Sequence, residues 1–317
     1  MRGRIHAHIK KGVNMPIRFG LCCIFLEQPI NFRTTTVTHI SKLDRKDALN
    51  KLSGLCLENA KSLLASLEYC KDKSIGSFRI NSRMFPCKTH DVVGYELADL
   101  PDSKEIISLF ESAKQFAKVN NIRTAFHPDQ FVVLNSAKDE VVRQSIKEIE
   151  YHADLAEMIG SDVINIHAGY SKPNKDEALG VFEKNFYKLS ERTRKLLTVE
   201  NDDVTYTPSD LLPLCEKINI PLVYDVHHHK CNPDNLSVES ATELAIKTWN
   251  REPMFHISSP IDGYGNSKQR MHHDYINLDD FPLFWLDHQI TVEIEAKAKE
   301  LAVEKLILEL SSSGISP

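Results

Sequence analysis

Eight short apolar segments alternate with helical segments along almost the whole chain, and this alternation constrains the fold more than any other feature. The predicted strands are Ile17–Ile24, Ile75–Ile80, Ile122–Phe126, Val163–His167, Leu196–Glu200, Ile220–Asp225, Met254–Ile257 and Ile290–Glu295. Strands that alternate with helices form parallel βαβ units, and eight such units close into a barrel. We therefore predict an α/β protein with a single TIM-type (β/α)8 barrel.

The segments between the strands carry the periodicity and the capping residues of helices. Asp44 and Ser237 are placed to cap two of them. The predicted helices of the second half of the chain include Lys175–Arg194, Ser237–Trp249, Leu278–Leu286 and Ala296–Leu310. The 317 residues are usual for one barrel of this kind, so residues 15–312 are assigned to it. Residues 1–14 are basic, lack an apolar signal core, and are expected to form a disordered extension.

Six of the predicted strands end in, or next to, a side chain able to bind a metal ion. Strands three to eight lead into His127, His167, Glu200, Asp225, His256 and Glu295. Each histidine alone would more often be structural, and Glu200 alone could cap a helix. Barrel enzymes place their catalytic groups at the carboxyl ends of the strands, which is where all six fall. Chance would scatter them among strand starts and helix faces as well.

Two further histidines complete the set of candidate ligands. His228 follows Asp225 at a spacing that lets both side chains reach one cation from the end of a strand, where the chain is expected to enter a loop. His272 lies in a loop, so an exposed polar histidine is a stronger alternative there. Carboxylate and imidazole bind zinc, manganese or iron. Because eight ligands exceed the needs of one ion, we predict two or three divalent ions, with Glu200 bridging.

The eighth strand carries two glutamates that face the same side. Glu293 and Glu295 are two residues apart, so both point into the barrel. Glu295 lies at the carboxyl end and is the chosen ligand. Glu293 lies deeper, where a charge is costly without a partner, and Lys297 is not deep enough to be one. The candidate catalytic carboxylates are Glu200, Asp225 and Glu295.

Composition limits the remaining function classes. A net charge of −5 does not favour general nucleic-acid affinity, although bound metal ions would reverse the local sign. Seven cysteines, an odd number without a Cys-x-x-Cys pair, favour a reducing compartment, either the cytoplasm or a eukaryotic nucleus. No apolar run has the roughly 18 residues of a membrane span, so no membrane partner is expected. We expect a monomer.

Seven motifs together resemble the UV damage endonuclease family over nearly the whole barrel. The most specific are His127-Pro128-Asp129-Gln130-Phe131 and Asp225-Val226-His227-His228-His229. The others begin at Ile164, Glu200, His256, His272 and Glu295. The resemblance implies a barrel related to endonuclease IV, a metal cluster that is usually manganese, with zinc or magnesium as alternatives, and double-stranded DNA carrying UV lesions as the partner. It also implies a single cut on the 5′ side of cyclobutane dimers and 6-4 photoproducts, with abasic sites as an open question.

Residue by residue, the resemblance carries a ligand set and a lesion probe over to this chain. The implied ligands are His127, His167, Glu200, Asp225, His228, His256, His272 and Glu295. Gln130 and Phe131 would probe the lesion, and which DNA strand contacts Arg79, Arg83 or Lys268 is left open by the sequence. Two positions depart from the family pattern. Met254 replaces a lysine near the metals, and Leu21 replaces a polar or aromatic residue.

Two other functions fit a barrel with these ligands less well. A sugar isomerase or epimerase would use a metal to polarise a carbonyl and carboxylates to move protons. Such sites use fewer histidines and do not need Gln130 and Phe131 exposed beside a ligand. A metal-storage protein would not need ligands distributed over six strands.

Overall fold

A closed barrel of eight parallel strands forms the centre of the computed structural model, which describes residues 17–312. The strands are β1 Arg18–Cys22, β2 Ser77–Ile80, β3 Arg123–Phe126, β4 Val163–His167, β5 Leu197–Glu200, β6 Leu222–Asp225, β7 Met254–Ile257 and β8 Thr291–Ile294. Each strand pairs with the next along the chain, and β8 pairs with β1. The predicted (β/α)8 fold is confirmed. Residues 1–14, assigned to an extension, lie outside the described residues.

Ten α-helices accompany the strands within residues 17–312. They are α1 Val37–Ile40, α2 Arg45–Asp72, α3 Ser103–Val119, α4 Asp139–Ile159, α5 Lys175–Phe186, α6 Glu191–Leu196, α7 Pro208–Ile218, α8 Val226–Cys231, α9 Val238–Lys247 and α10 Glu300–Ser312. The predicted caps hold, because Asp44 accepts a hydrogen bond from the Asp47 amide and Ser237 from the Ser240 amide. Within the described part of the chain, no helix is both long and apolar enough to cross a bilayer.

Three helix predictions are wrong in instructive ways. The span Lys175–Arg194 is two helices, because Ser190 accepts a hydrogen bond from the Thr193 amide and starts α6 as a new N-cap. The span Leu278–Leu286 forms two short 3-10 segments, Leu278–Asp280 and Leu283–Asp287, on either side of Phe281-Pro282. The last helix begins at Glu300 and not at Ala296.

The hydrophobic core lies mainly between the strands and the helices. Alternate strand residues such as Phe78, Ile164 and Phe255 are fully buried in this large cluster. Ala125, Val163 and Met254, on β3, β4 and β7, form a second, small apolar cluster. Polar residues lie at both ends of the strands: at the amino ends Arg123 donates to the Thr291 hydroxyl at 3.0 Å, and the candidate ligands lie at the carboxyl ends.

The turn after β4 depends on a glycine. Gly169 has a φ of +89°, which favours glycine, and an added Cβ would lie 2.5 Å from Asn135 Oδ1 and 2.9 Å from the Val133 Cβ. The backbone therefore approaches the loop after β3 closely at Gly169.

We expect Gly169→Ala to lower the free energy of unfolding by about 2–4 kcal/mol, because backbone strain and a steric overlap with Asn135 add together. Gly263→Ala is the matched control. Gly263 has a φ of +84° but nothing within 4 Å of an added Cβ, so it reports the strain alone. Urea unfolding followed by circular dichroism measures both. Equal losses in the two variants would show that the close approach at Gly169 has no energetic weight.

Candidate metal centre

Glu200 is a buried carboxylate whose two oxygens both face imidazoles. Oε2 lies 3.0 Å from His127 Nε2, and Oε1 lies 3.1 Å from His256 Nδ1 and 3.3 Å from His228 Nδ1. These partners come from the ends of β3 and β7 and from the start of α8. A single carboxylate therefore joins three parts of the barrel rim.

Asp225 ends β6 and at the same time caps a short helix. Its Oδ1 accepts a hydrogen bond of 2.7 Å from the His228 amide, and its Oδ2 lies 3.7 Å from His228 Nδ1. The expectation of a loop after Asp225 is wrong, because this cap starts α8 directly. The helical turn places the side chain of His228 beside that of Asp225, so the predicted pairing of the two residues stands.

The three remaining candidates surround this core. The His167 ring lies between those of His127 and His228, with centroid distances of 5.1 and 6.0 Å. Glu295 Oε1 is 3.4 Å from His256 Nδ1, and Glu295 Oε2 is 4.0 Å from His272 Nδ1. The structure thus brings all eight candidates to one centre.

The donor atoms fit divalent cations. Two sets of three donors, His127–Glu200–His256 and Glu200–Asp225–His228, each lie within 4.8 Å of one another and share Glu200. Two buried atoms of the centre, His167 Nδ1 and Asp225 Oδ2, have no hydrogen-bond partner. Buried polar atoms are normally satisfied, so these two are available to a ligand. Imidazole nitrogen and carboxylate oxygen together suit zinc, manganese or iron.

The charges of the centre are strongly coupled. Burial opposes ionisation of Glu200, but the imidazoles of His256 and His167 hold its pKa well below its usual value. Burial likewise acts to lower the pKa values of His228 and His256, yet Asp225 holds that of His228 well above its usual value and Glu200 raises that of His256 to about 10. Protons therefore compensate the buried carboxylates, and a bound cation must displace them.

Two asparagines that the sequence analysis missed hold the carboxylates in place. Asn165 donates a hydrogen bond of 2.5 Å to Glu200 Oε2, and its own side-chain oxygen accepts one from Thr198. Asn201 forms a pair of hydrogen bonds with the backbone of Asp225, at 2.9 and 3.0 Å. Asn165 lies two residues before His167, so strand periodicity would have placed it inside the barrel.

Arg79 is the most important residue that the sequence analysis misplaced. Its guanidinium is buried inside the barrel, where Nε donates to Glu293 Oε2 at 2.5 Å and Nη2 lies 2.7 Å from Glu295 Oε1. Nη2 also lies 2.9 Å from His256 Nε2. Arg79 therefore does not approach DNA. It is the partner that the sequence analysis sought for Glu293.

The predicted lesion-probing residues lie at the surface beside the centre. Gln130 is exposed, and the Phe131 side chain is 72% exposed, so it does not pack into the rim of the barrel. Arg83 is exposed and lies 3.9 Å from Asp129, which belongs to the loop of Gln130 and Phe131. Lys268 is also exposed. These two cations remain candidates for DNA contact.

The two positions that depart from the family pattern are both buried. Leu21 belongs to the main core, and Met254 lies in the small apolar cluster with Ala125 and Val163. Neither residue places a charged side chain at the metal centre.

Solved structures place this barrel in a known class. The chain superimposes on the crystal structure of SacUVDE with a TM-score of 0.82 and 30% identity, over 94% of this chain and 99% of that one. Endonuclease IV from Thermus thermophilus gives a TM-score of 0.59 at 15% identity, over 93% and 98% of the two chains, which shows a shared fold. The fold is therefore that of the endonuclease IV-like barrels.

Sequence comparisons identify the family. Residues 17–316 match the family described as UV-endonuclease UvdE. A UV DNA damage endonuclease of Bacillus mycoides (strain KBAB4) is 33% identical over 291 residues, 88% of this chain and 89% of that protein. The chain belongs to the UV-endonuclease UvdE family and is a DNA repair endonuclease.

The buried ion pairs of Arg79 make a testable contribution to stability. We expect Arg79→Met to lower the free energy of unfolding of the metal-stripped protein at pH 7 by about 3–5 kcal/mol, because it leaves Glu293 and Glu295 without a cation. Adding Glu293→Gln is expected to recover part of the loss. Arg83→Met, which changes an exposed arginine, is the control and should stay within about 0.5 kcal/mol of the parent. Urea unfolding measures all four proteins.

The pH dependence of the free energy of unfolding gives a second test of the pairing between Arg79 and Glu293. Burial opposes ionisation of Glu293, but Arg79 holds its pKa below the usual 4.5. The stability from this pair is therefore present above pH 4.5 and is lost as the pH falls through the folded-state pKa. We expect the difference between parent and Arg79→Met to shrink on acidification. A difference that is small at pH 7, or constant with pH, would contradict the assigned pairing.

Proposed function

We propose that the protein uses divalent metal ions to hydrolyse the phosphodiester bond on the 5′ side of UV photoproducts in double-stranded DNA. The proposed substrates are cyclobutane dimers and 6-4 photoproducts, with abasic sites as a further one. The observation that carries this proposal is the pair of donor sets that share Glu200. Ions about 3.5–4 Å apart in such a shared site suit phosphodiester hydrolysis.

The proposed ligands are the eight residues gathered at the centre, with manganese as the metal and zinc or magnesium as alternatives. They are His127, His167, Glu200, Asp225, His228, His256, His272 and Glu295. Bound ions would supply Lewis-acid chemistry, lowering the pKa of water and stabilising the leaving alkoxide. We assign two or three ions to this set, with Glu200 as the bridge.

The chain's own groups orient this site before substrate binds. Asn165 fixes Oε2 of Glu200, and the α8 amide fixes Oδ1 of Asp225, whose Oδ2 has no hydrogen-bond partner. Arg79 orients Glu295 and His256 from below. Outer-shell contacts of this kind orient the ligands of metal sites generally. Ligands that are already oriented lose little freedom when they bind an ion.

The proposed activity is tested with supercoiled plasmid, irradiated or untreated, incubated with purified protein and manganese. We expect nicking of irradiated plasmid only, and sequencing of the ends should place the cut 5′ to the photoproduct. Nicking of both plasmids alike, or of neither, would contradict the proposal.

We expect Glu200→Gln to lose more than one ion per chain and nearly all cleavage, because this residue belongs to both donor sets. Elemental analysis of the folded protein measures the ions, and the plasmid assay measures cleavage. Glu216→Gln changes an exposed glutamate and is the control. A metal content equal to that of the parent would show that Glu200 is not a shared ligand.

Gln130 and Phe131 are proposed to probe the lesion, and their exposure makes this testable. A damaged step is easier to unstack than an intact one, and an apolar side chain such as Phe131 can fill the gap. We expect Gln130→Ala with Phe131→Ala to keep metal content and thermal stability. Cleavage of irradiated DNA should fall by about 5- to 150-fold from the lost stack alone, since stacking contributes about 1–3 kcal/mol per base.

Val119→Ala is the control for this pair, because it truncates another highly exposed apolar side chain, at the end of α3. Parental cleavage by the double variant, or its unfolding, would refute the wedge role.

A further inference from the structure

Three consecutive loops beside the metal centre each expose one large apolar side chain. Phe131 follows β3, Tyr170 follows β4 and Val204 follows β5, and all three are exposed, with 55% of the Tyr170 side chain accessible. The strands before these loops end at the ligands His127, His167 and Glu200. Apolar side chains gathered on one side of a site mark a contact surface, whereas scattered ones do not. Of the three, only Phe131 has a role in the function proposed so far.

The backbone of Tyr170 is fixed by both neighbouring loops. Its amide donates to Asn135 Oδ1 at 2.9 Å, and its carbonyl accepts from Asn135 Nδ2 at 2.5 Å and from the Tyr206 hydroxyl at 2.6 Å. Asn135 belongs to the loop of Phe131, and Tyr206 follows Val204. Asn135 and Tyr206 are buried, so these hydrogen bonds are shielded from water.

The ring of Tyr170, by contrast, has no partner among residues 17–312. Its hydroxyl makes no hydrogen bond there, and no aromatic or cationic side chain stacks on it. A rigid backbone that presents a free aromatic ring is suited to binding, because little conformational entropy remains to be lost.

A free cation lies two residues further along the same loop. Lys172 is exposed and forms no ion pair within the described part of the chain. Lys175, at the start of α5, is paired instead, with Asp210 Oδ2 at 2.6 Å. An aromatic ring can stack on the base of a nucleotide, and an unpaired lysine two residues away can bind its phosphate.

We propose that residues 169–172 form a second DNA-contacting segment, in which Tyr170 stacks on a base and Lys172 binds a phosphate. This inference rests on the proposed function. A photoproduct joins two neighbouring bases, and its extrusion leaves the opposite bases without partners. Phe131 fills one gap, and Tyr170, on the adjacent loop, offers a stacking surface to an unpaired base. Asn135 joins the loops that carry the two side chains.

The experiment uses the manganese-loaded full chain and an irradiated duplex with 2-aminopurine opposite the photoproduct. Tyr170→Ala is expected to raise Kd by about 5- to 150-fold, the equivalent of one lost base stack, and to change the 2-aminopurine signal of the complex. Tyr170→Phe should stay within about twofold of the parent, because stacking is sequence-tolerant and needs only the ring face.

Tyr187→Ala is the matched control. Tyr187 is also 55% exposed, but it lies just after α5, at the opposite end of the helix from Tyr170. Its Kd and 2-aminopurine signal should equal those of the parent. Lys172→Ala should reduce the slope of log K against log salt by about 1, whereas Lys188→Ala, beside Tyr187, should leave it unchanged.

The outcomes separate this inference from the proposed function. If the parent cuts irradiated DNA but Tyr170→Ala binds it as tightly as Tyr187→Ala does, the second contact is wrong and the endonuclease assignment stands. If the parent neither binds nor cuts irradiated DNA, the proposed function fails and the inference falls with it. Tyr170→Gln keeps a long side chain without a ring and replaces the alanine variant if that variant unfolds.

Discussion

The buried carboxylate of Glu200 is the charge on which the centre depends. A carboxylate at the end of a barrel strand loses its water on folding, and this loss is costly unless cations or hydrogen-bond donors replace it. Here His127, His228 and His256 converge on it from three parts of the rim, and Asn165 donates from below. The requirement to compensate one negative charge explains why so many basic groups are gathered around it. The same gathering produces a site for divalent ions.

A second buried cation supports this arrangement from inside the barrel. Arg79 links Glu293 and Glu295 on β8 to His256 on β7. Removing one partner of a buried ion pair is usually far more damaging than never having had the pair. Arg79 therefore restricts where Glu295 and His256 can point. Inside the barrel, the ion pairs around Arg79 lie next to the donors for a metal, because Arg79 contacts both Glu295 and His256.

Much of the fold and of the centre could be predicted because strand periodicity and strand ends are local features. The eight strands follow from apolar runs, and six candidate ligands follow from the residues at or next to their ends. Partners across the barrel could not be predicted in this way. Arg79 and Glu293 are 214 positions apart, and only the closure of β8 on β1 brings β2 near them. The helix errors have local causes, since a new N-cap at Ser190 and the Phe281-Pro282 break are short signals inside longer periodic patterns.

The peptide group of Tyr170 has a consequence for how this protein can vary. Through Asn135 and Tyr206 it makes the loops after β3, β4 and β5 a single mechanical unit. A change in the length of one loop would displace the hydrogen-bonding groups of the other two. An exchange of these loops between barrels of this family would therefore have to move all three together. The loops after β7 and β1 lie outside this unit, since none of the hydrogen bonds of the Tyr170 peptide groups reaches them.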